Sequence, residues 1–262
     1  MAATNETFLE TTALSVSVPG RTLVDALDVD IESGEFVAVL GQNGVGKTLS
    51  LLTIAGLRQP AGGDVLLNGR GIFSLPRSAI AKQLALLPQN VDDIFPATVL
   101  DTVLIGRHPH IPRLQWASGH DHDIAMSALE TMDLGELAER DVLTLSGGER
   151  RRLAVAQILA QAPQVYLLDE PTNHLDPQHQ LDVLRVFRQS ADDGAAVVAS
   201  LHDVNLAVRF ADRCLLLFGD GRWDLGATDD ILDEARLEAL YGTPIESVHW
   251  RSQRLFVAAG SS

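Results

Sequence analysis

The chain has 262 residues, 46% of them hydrophobic and 21% charged, which is enough apolar material for one large domain or two small ones. Its formal net charge is −15, and among its 20 Lys and Arg residues only Lys47 and Lys82 are lysines, so a basic surface for a nucleic-acid backbone is not expected and direct DNA or RNA binding is disfavoured. The single cysteine, Cys214, rules out an internal disulfide, and the N-terminal MAATNETFLE has neither a basic nor an apolar signal region. With no uninterrupted apolar run of about 18 residues, the expectation is a chain that is neither secreted nor membrane-spanning, working in a reducing compartment.

In chain order, Leu14 to Val18 and the alternation Leu27, Val29, Ile31 predict strands, and Phe36 to Leu40 predicts a buried strand after the Gly34 turn. Gly41-Gln42-Asn43-Gly44-Val45-Gly46-Lys47-Thr48 follows at once, and the apolar Leu49 to Leu57 predicts a packed helix. The octapeptide matches the full G-x-x-x-x-G-K-[ST] pattern between a strand and a helix. Its glycines Gly41, Gly44 and Gly46, with Asn43 between them, let backbone N–H groups close around phosphates, and the helix N-terminus adds about half a positive charge. Lys47 is expected to reach the β and γ phosphates and Thr48 to ligate Mg²⁺. Val65 to Arg70 reads as a hairpin turning at Asn68-Gly69.

From Asn90 to Asp141 the character changes. Thr98 to Ile105 and Ile124 to Met132 carry helical periodicity around a proline- and histidine-rich connection, which predicts an inserted helical subdomain over residues 90–145. In that connection His108, His110, His120 and His122, with Asp121 and Asp123, lack the spacing of a closed metal site and read as a solvated polar loop. Next, Leu143-Thr144-Leu145-Ser146-Gly147-Gly148-Glu149-Arg150 has the hydroxyl, glycines and helix start of a phosphate cradle but no lysine, and Leu153, Ala156, Leu159 and Ala160 continue the helix. Gln164 to Leu168 is a buried strand ending in Asp169-Glu170, and Ala195 to Ser200 is another, ending at Leu201-His202-Asp203. Asp169 at a strand end can hold Mg²⁺, while Glu170 can orient and deprotonate an attacking water. Strands alternating with helices imply a largely parallel sheet with its ligand beyond the strands' carboxyl ends, where all these motifs fall. The tail after Val248, with Leu255-Phe256-Val257, reads as a terminal strand.

GQNGVGKT, Gln89 in LLPQN, LSGGE, VYLLDEP, Asn173-His174-Leu175-Asp176 and His202 occur in the order typical of ABC transporter ATPase subunits, which this chain resembles over roughly residues 10 to 245. The resemblance implies an α/β fold. It comprises a RecA-like P-loop core with an N-terminal antiparallel β subdomain, over residues 1–89 and 146–262, and the helical insertion at 90–145. It implies that Gln89 contacts Mg²⁺ or the attacking water, that His202 contacts the γ-phosphate, and that Asp176 links two active sites while also serving as N-cap to a helix starting at Pro177. It also implies that Ser146 and Gly148 contact the γ-phosphate of ATP held by the opposite subunit, so the lysine missing from LSGGE is the partner's.

The active unit expected is therefore an ATP-sandwiched homodimer using ATP and Mg²⁺, with Glu170, His202 and Gln89 catalytic and Thr48, Gln89 and Asp169 around the metal. Two positions depart from the family's habit. No aromatic residue for stacking on adenine occurs in Ser15 to Arg21, leaving Val18 or an arginine plane to carry the base, and Leu49 stands where a hydroxyl residue near the α-phosphate is common.

Gly106-Arg107-His108-Pro109-His110, Leu201 to Ala207 and Tyr241-Gly242-Thr243-Pro244-Ile245 are similar to the ATPases of importers for ferric siderophores, haem and vitamin B12. That likeness implies a membrane-embedded permease dimer docked near Gln89, an extracytoplasmic substrate-binding protein, and a peripheral place on the cytoplasmic face of the inner membrane. Asp92 and Asp93 either meet basic permease residues or belong to a solvated loop. The alternatives are a soluble ATPase of the same family acting in DNA maintenance or translation, where coiled coils or tandem halves are expected, and a transporter for another solute class.

Overall fold

The computed structural model describes residues 6–90, 96–112, 114–173, 175–251 and 253–259. Asp92, Asp93 and His174 lie outside them. In chain order come β1 (Thr7–Val18), β2 (Arg21–Glu32), β3 (Phe36–Leu40), α1 (Lys47–Ile54), β4 (Gly62–Leu67), β5 (Arg70–Gly71), α2 (Arg77–Ile80) and β6 (Leu84–Leu87). Then follow α3 (Val99–Leu104), α4 (Gly119–Thr131), α5 (Gly147–Gln161), β7 (Val165–Asp169), α6 (Pro177–Asp192), β8 (Ala196–Ser200), α7 (Val204–Phe210), β9 (Arg213–Leu217), β10 (Trp223–Ala227), α8 (Thr228–Ile231), α9 (Glu234–Tyr241), β11 (Ile245–Trp250) and β12 (Gln253–Ala258).

The central sheet has the order β10-β9-β3-β8-β7-β6, parallel throughout except for β10 at one edge. Its strands are continuous apolar runs because both faces are covered. Phe36, Ala38, Leu40, Tyr166, Leu168, Val197 and Ala199 face a core shared with α5, α6 and α7, whereas Val37, Val39, Val165, Leu167, Ala196 and Val198 face a second core built with α1 and the antiparallel sheet β2-β1-β4-β5. Every parallel strand consequently delivers its last residue to one rim.

The first two strands are longer than the alternation predicts, and the reason is a change of parity. Leu9 and Thr11 are buried on odd positions of β1 and Leu14 and Val16 on even ones, because the register shifts between Thr11 and Leu14 around Ala13, whose φ is 47°. A bulge of this kind bends the strand and moves the inward face by one residue, which erases the period-2 signal. The same happens in β2 at Ala26, with φ 48°. The Asn68-Gly69 turn joins β4 to β5 with both φ values positive, at 48° and 69°, as the hairpin reading requires. The tail forms a two-stranded hairpin, β11 with β12, in place of a lone terminal strand. Asn205 on α7 pins it, since its Nδ2 donates to the Phe256 carbonyl at 3.1 Å and its Oδ1 accepts the Phe256 N–H at 2.8 Å.

Helices α3 and α4 lie over α5 and share its core through Val99, Val103, Ala125 and Leu129. Val99 and Val142 donate their N–H groups to the carbonyls of Arg140 and Ala97, at 3.0 and 3.1 Å, so the chain leaves and returns side by side. Gly106 sits where α5 approaches: a Cβ there would lie 2.1 Å from the Gln157 carbonyl oxygen. The His- and Asp-rich stretch is not all loop, because His120, Asp121, His122 and Asp123 form the first turn of α4. Ser118 and Asp121 make a reciprocal capping box there, and Asp121 Oδ1 accepts from Arg107 Nε at 3.1 Å. His110 and His122 bond the Gln161 and Ser118 carbonyls.

Both partners of the Arg107–Asp121 pair are buried, and Arg107 also donates to the Ala160 carbonyl at 2.8 Å. The Ser118 hydroxyl and N–H, with Arg107, hold the Asp121 carboxyl down to about 2. A depressed carboxylate pKa stabilises the fold fully above the unfolded value, near 4, and that stabilisation fades as pH falls toward about 2. Asp121→Asn is expected to cost about 3 kcal/mol at neutral pH, because it leaves a buried guanidinium uncompensated. The melting temperature then drops by roughly 6–12 °C. Scanning calorimetry across pH should show the gap between parent and variant closing between about pH 4 and pH 2, and a gap that does not change with pH would contradict this account.

Candidate functional site

At the C-terminal rim of the parallel strands lies a cavity of about 310 Å³ lined by Val18, Arg21, Leu23, Gln42, Asn43, Gly44, Gly46, Lys47, Thr48, Leu49, Gln89 and Glu170. The loop from β3 to α1 forms its floor. Gly41 has φ 152° and a Cβ on it would stand 2.5 Å from the Leu217 carbonyl oxygen, so only glycine lets β3 leave the sheet here. Gly46 is the left-handed N-cap of α1, at φ 111°, and aims the first N–H groups of that helix, which have no partner within it, at the cavity. Lys47 is buried, and its ammonium donates to the carbonyls of Gly41 and Gln42 at 2.7 and 3.2 Å. Burial pulls it below the usual lysine range, while Glu170 and Asp169 oppose that pull. A cation satisfied only by its own loop's carbonyls, beside carboxylates, suits an incoming phosphate.

Strand β7 brings Asp169 and Glu170 to the same rim, both buried. Asp169 stands in register with Ser200 at the end of β8. Ser200 Oγ donates to Asp169 Oδ1 at 2.8 Å and accepts the Glu170 N–H at 2.9 Å, fixing both acids from behind. Glu170 has φ 50°, a left-handed conformation unusual for a residue with a side chain and one that the surrounding bonds must hold. Three side chains from three segments converge on its carboxylate. Gln89 Nε2 donates to Oε2 at 2.7 Å, Asn173 Nδ2 donates to the same oxygen, and His202 Nε2 lies 2.6 Å from Oε1.

The geometry thus joins Gln89, Glu170 and His202, which are far apart in sequence, and sets Asn43, Gly44, Gly46, Lys47 and Thr48 before them. Thr48, Gln89 and Asp169 supply a hydroxyl, an amide and a carboxylate, the hard oxygen donors that suit Mg²⁺. On the side toward Val18 and Leu49 the wall carries no ring, but Arg21 lines it, held by its Nε and Nη2 on the Gly219 carbonyl at 2.9 and 2.5 Å.

Ser146, Gly148 and Asp176 do not line this cavity. Ser146 is the exposed N-cap of α5 in a second capping box: its Oγ accepts the Glu149 N–H at 3.3 Å, and Glu149 Oε2 accepts the Ser146 N–H at 2.7 Å. Asp176 caps α6 ahead of Pro177 as expected, with Oδ1 accepting the His179 N–H at 3.0 Å.

The sequence assigns no role to Asn173, although it stands in the quoted motif, or to Ser200, whose trace is that it is the one polar residue closing an otherwise apolar strand. Arg151, in the run Arg150-Arg151-Arg152, is buried at 5% exposure behind Glu170. Its trace is the helical spacing that sets it on one stripe with Ala154, Val155 and Ile158.

The sequence matches the ABC transporter family model over residues 24–173. It is 36% identical over 260 residues to the petrobactin import ATP-binding protein of Bacillus anthracis, covering 94% of this chain and 95% of that protein. It is 40% identical over 239 residues to the hemin import ATP-binding protein of Pseudomonas aeruginosa, covering 88% of this chain and 91% of that one. Among solved structures, an inward-facing transporter described as of metal-chelate ABC type superposes with a TM-score of 0.84 at 30% identity, covering 97% of this chain and 98% of the other.

Proposed function

This chain belongs to the ABC transporter family as an ATP-hydrolysing subunit, and from that membership we propose that it powers the uptake of a metal chelate, a ferric siderophore, haem or a corrinoid, through a separate permease. The observation that supports ATP hydrolysis as its power source is the convergence of Gln89, Asn173 and His202 on Glu170 directly before the phosphate loop. The names of the relatives and the metal-chelate type of the superposed transporter support the solute class. No helix among the described residues is long and apolar enough to cross a membrane.

Glu170 is the proposed general base. In the described arrangement Gln89, Asn173 and His202 take three of the roughly four lone-pair sites of its carboxylate, so a donor that turns away frees a further site for the proton of a water. Phosphate oxygens would draw Lys47 from the Gly41 and Gln42 carbonyls and offer His202 a new acceptor, coupling nucleotide arrival to release of the base. Thr48, Asp169 and Gln89 would hold Mg²⁺, whose charge stabilises the transferring phosphoryl group.

Gly147 and Gly148 support the dimer. Neither has a positive φ, and an added Cβ would meet nothing at Gly147 and only Leu175, at 3.9 Å, at Gly148. The chain itself therefore has no need of glycine there. A close approach from outside, by the phosphates of a partner's nucleotide, supplies the need.

The test is to purify the chain with the permease that co-purifies with it, reconstitute the complex in vesicles, and measure ATP-driven uptake of radiolabelled ferric petrobactin, hemin and cyanocobalamin. One chelate should accumulate, and Glu170→Gln in this chain should abolish its uptake. ATP-driven uptake of an unrelated solute, with none of the three taken up, would overturn the assignment.

A further inference from the structure

Arg151 spends its whole hydrogen-bonding capacity on backbone. Nε donates to the Pro171 carbonyl at 3.2 Å, Nη1 to those of Pro88 and Gln89 at 2.6 and 3.2 Å, and Nη2 to those of Asp169 and Glu170 at 2.9 and 2.6 Å. A guanidinium has five N–H bonds, and here each finds a carbonyl. These carbonyls lie at or just past the ends of β6 and β7, neighbouring parallel strands whose ladder stops at Leu87 and Leu168. Burial pulls the guanidinium down to about 10, with Asp169 and Glu170 drawing it back up, so the group is charged at neutral pH.

The helix that carries this side chain is capped by Ser146. A planar fork tolerates little change in the spacing of its acceptors. Any tilt of α5 is therefore felt at the backbone of Gln89 and Glu170, residues whose side chains are already bonded to each other. We propose that Arg151 is a positioning residue for hydrolysis, the joint through which α5, seated on the partner's nucleotide, sets the geometry of Gln89 and Glu170 in its own chain. This rests on the reading that Ser146 serves the partner's site and Glu170 its own. It gives each composite site a mechanical connection to the other that does not pass through Asp176.

The experiment uses the full chain with Arg151→Gln, which keeps a short donor, and Arg151→Lys, which keeps the charge without the fork. KM and kcat for ATP are measured together with amide hydrogen exchange in the presence of a non-hydrolysable ATP analogue. In both variants KM should stay within about threefold of the parent, while kcat falls by about 10- to 100-fold, the scale of a misplacement near 1 Å. Exchange should quicken in peptides spanning Gln89 and Glu170 and stay unchanged in β3.

Parental kcat in both variants would overturn the proposal, and so would full rescue by lysine. Exchange that rises equally in β3 would also do so, since it marks general loosening. Glu170→Gln measured alongside separates the two readings. If that variant hydrolyses ATP normally, the base assignment falls whatever the Arg151 variants do; if it is inactive while they keep parental kcat and exchange, only the joint falls.

Discussion

Glu170→Gln should bind ATP as the parent does and hydrolyse it about 10²- to 10⁴-fold more slowly, the usual scale for losing a general base. Binding survives because the substitution preserves the network around the position. A glutamine there can turn its carbonyl to Gln89 and Asn173 and its amide to His202, whose imidazole accepts once the proton sits on the other ring nitrogen. Glu170→Ala, by contrast, takes the acceptor away from the Gln89 and Asn173 amides and would confuse loss of the base with loss of the local geometry. The fall should appear in kcat, with KM little altered, because the missing interaction is made in the transition state. Light scattering should show the glutamine variant collecting as an ATP-bound dimer that the parent holds only briefly. Parental turnover in this variant would end the assignment of Glu170 as base.

The second large effect is a rescue. Lys47→Ala removes the cation from a chain's own phosphate loop, and Ser146→Arg blocks the half-site it offers its partner. Each variant alone should lose about 10²-fold or more in turnover, the cost of removing one transition-state donor. When the two are mixed, a mixed dimer contains one site with Lys47 and Ser146 both intact and one site with both damaged. Random pairing of a two-fold symmetric dimer then returns roughly a quarter of parental activity if the sites act independently. Each mixed dimer should also retain one non-hydrolysable ATP analogue. A mixture no more active than its parents, holding no analogue, would contradict the shared site. Loss of the Ser146 cap costs only about 1 kcal/mol, so neither result can be put down to unfolding.

How legible these features are depends on how local their chemistry is. The phosphate loop is a contiguous pattern whose glycines take positive φ within a few residues of one another, although the Leu217 carbonyl that crowds Gly41 and the Leu23 side chain that crowds Gly46 come from elsewhere in the chain. Asp176 was readable as a cap because capping is settled within one turn. Gln89 and His202 could be given roles only through resemblance, since nothing near either residue says that they meet at Glu170. Asn173 sits three residues from Glu170 and still escaped, because the contact depends on the left-handed turn at Glu170. The His- and Asp-rich stretch misled for the opposite reason: its polar composition resembles a loop, whereas the Ser118–Asp121 box and the Arg107 pair make it a helix start.

The sequence by itself determined the class of chemistry and the order of the strands' polar ends, because these rest on residue type and on periodicity, while the expectation of a second chain came with the resemblance carried by LSGGE. Tertiary structure alone decided which donors hold Glu170 and what lies behind it. Arg151 is one of three consecutive arginines, distinguished from its neighbours only when β6 and β7 end side by side and present their carbonyls to one buried helix face. Burial turns an ordinary surface residue type into a joint, and burial at that point is a property of the packed sheet, with no counterpart in any local stretch of the chain.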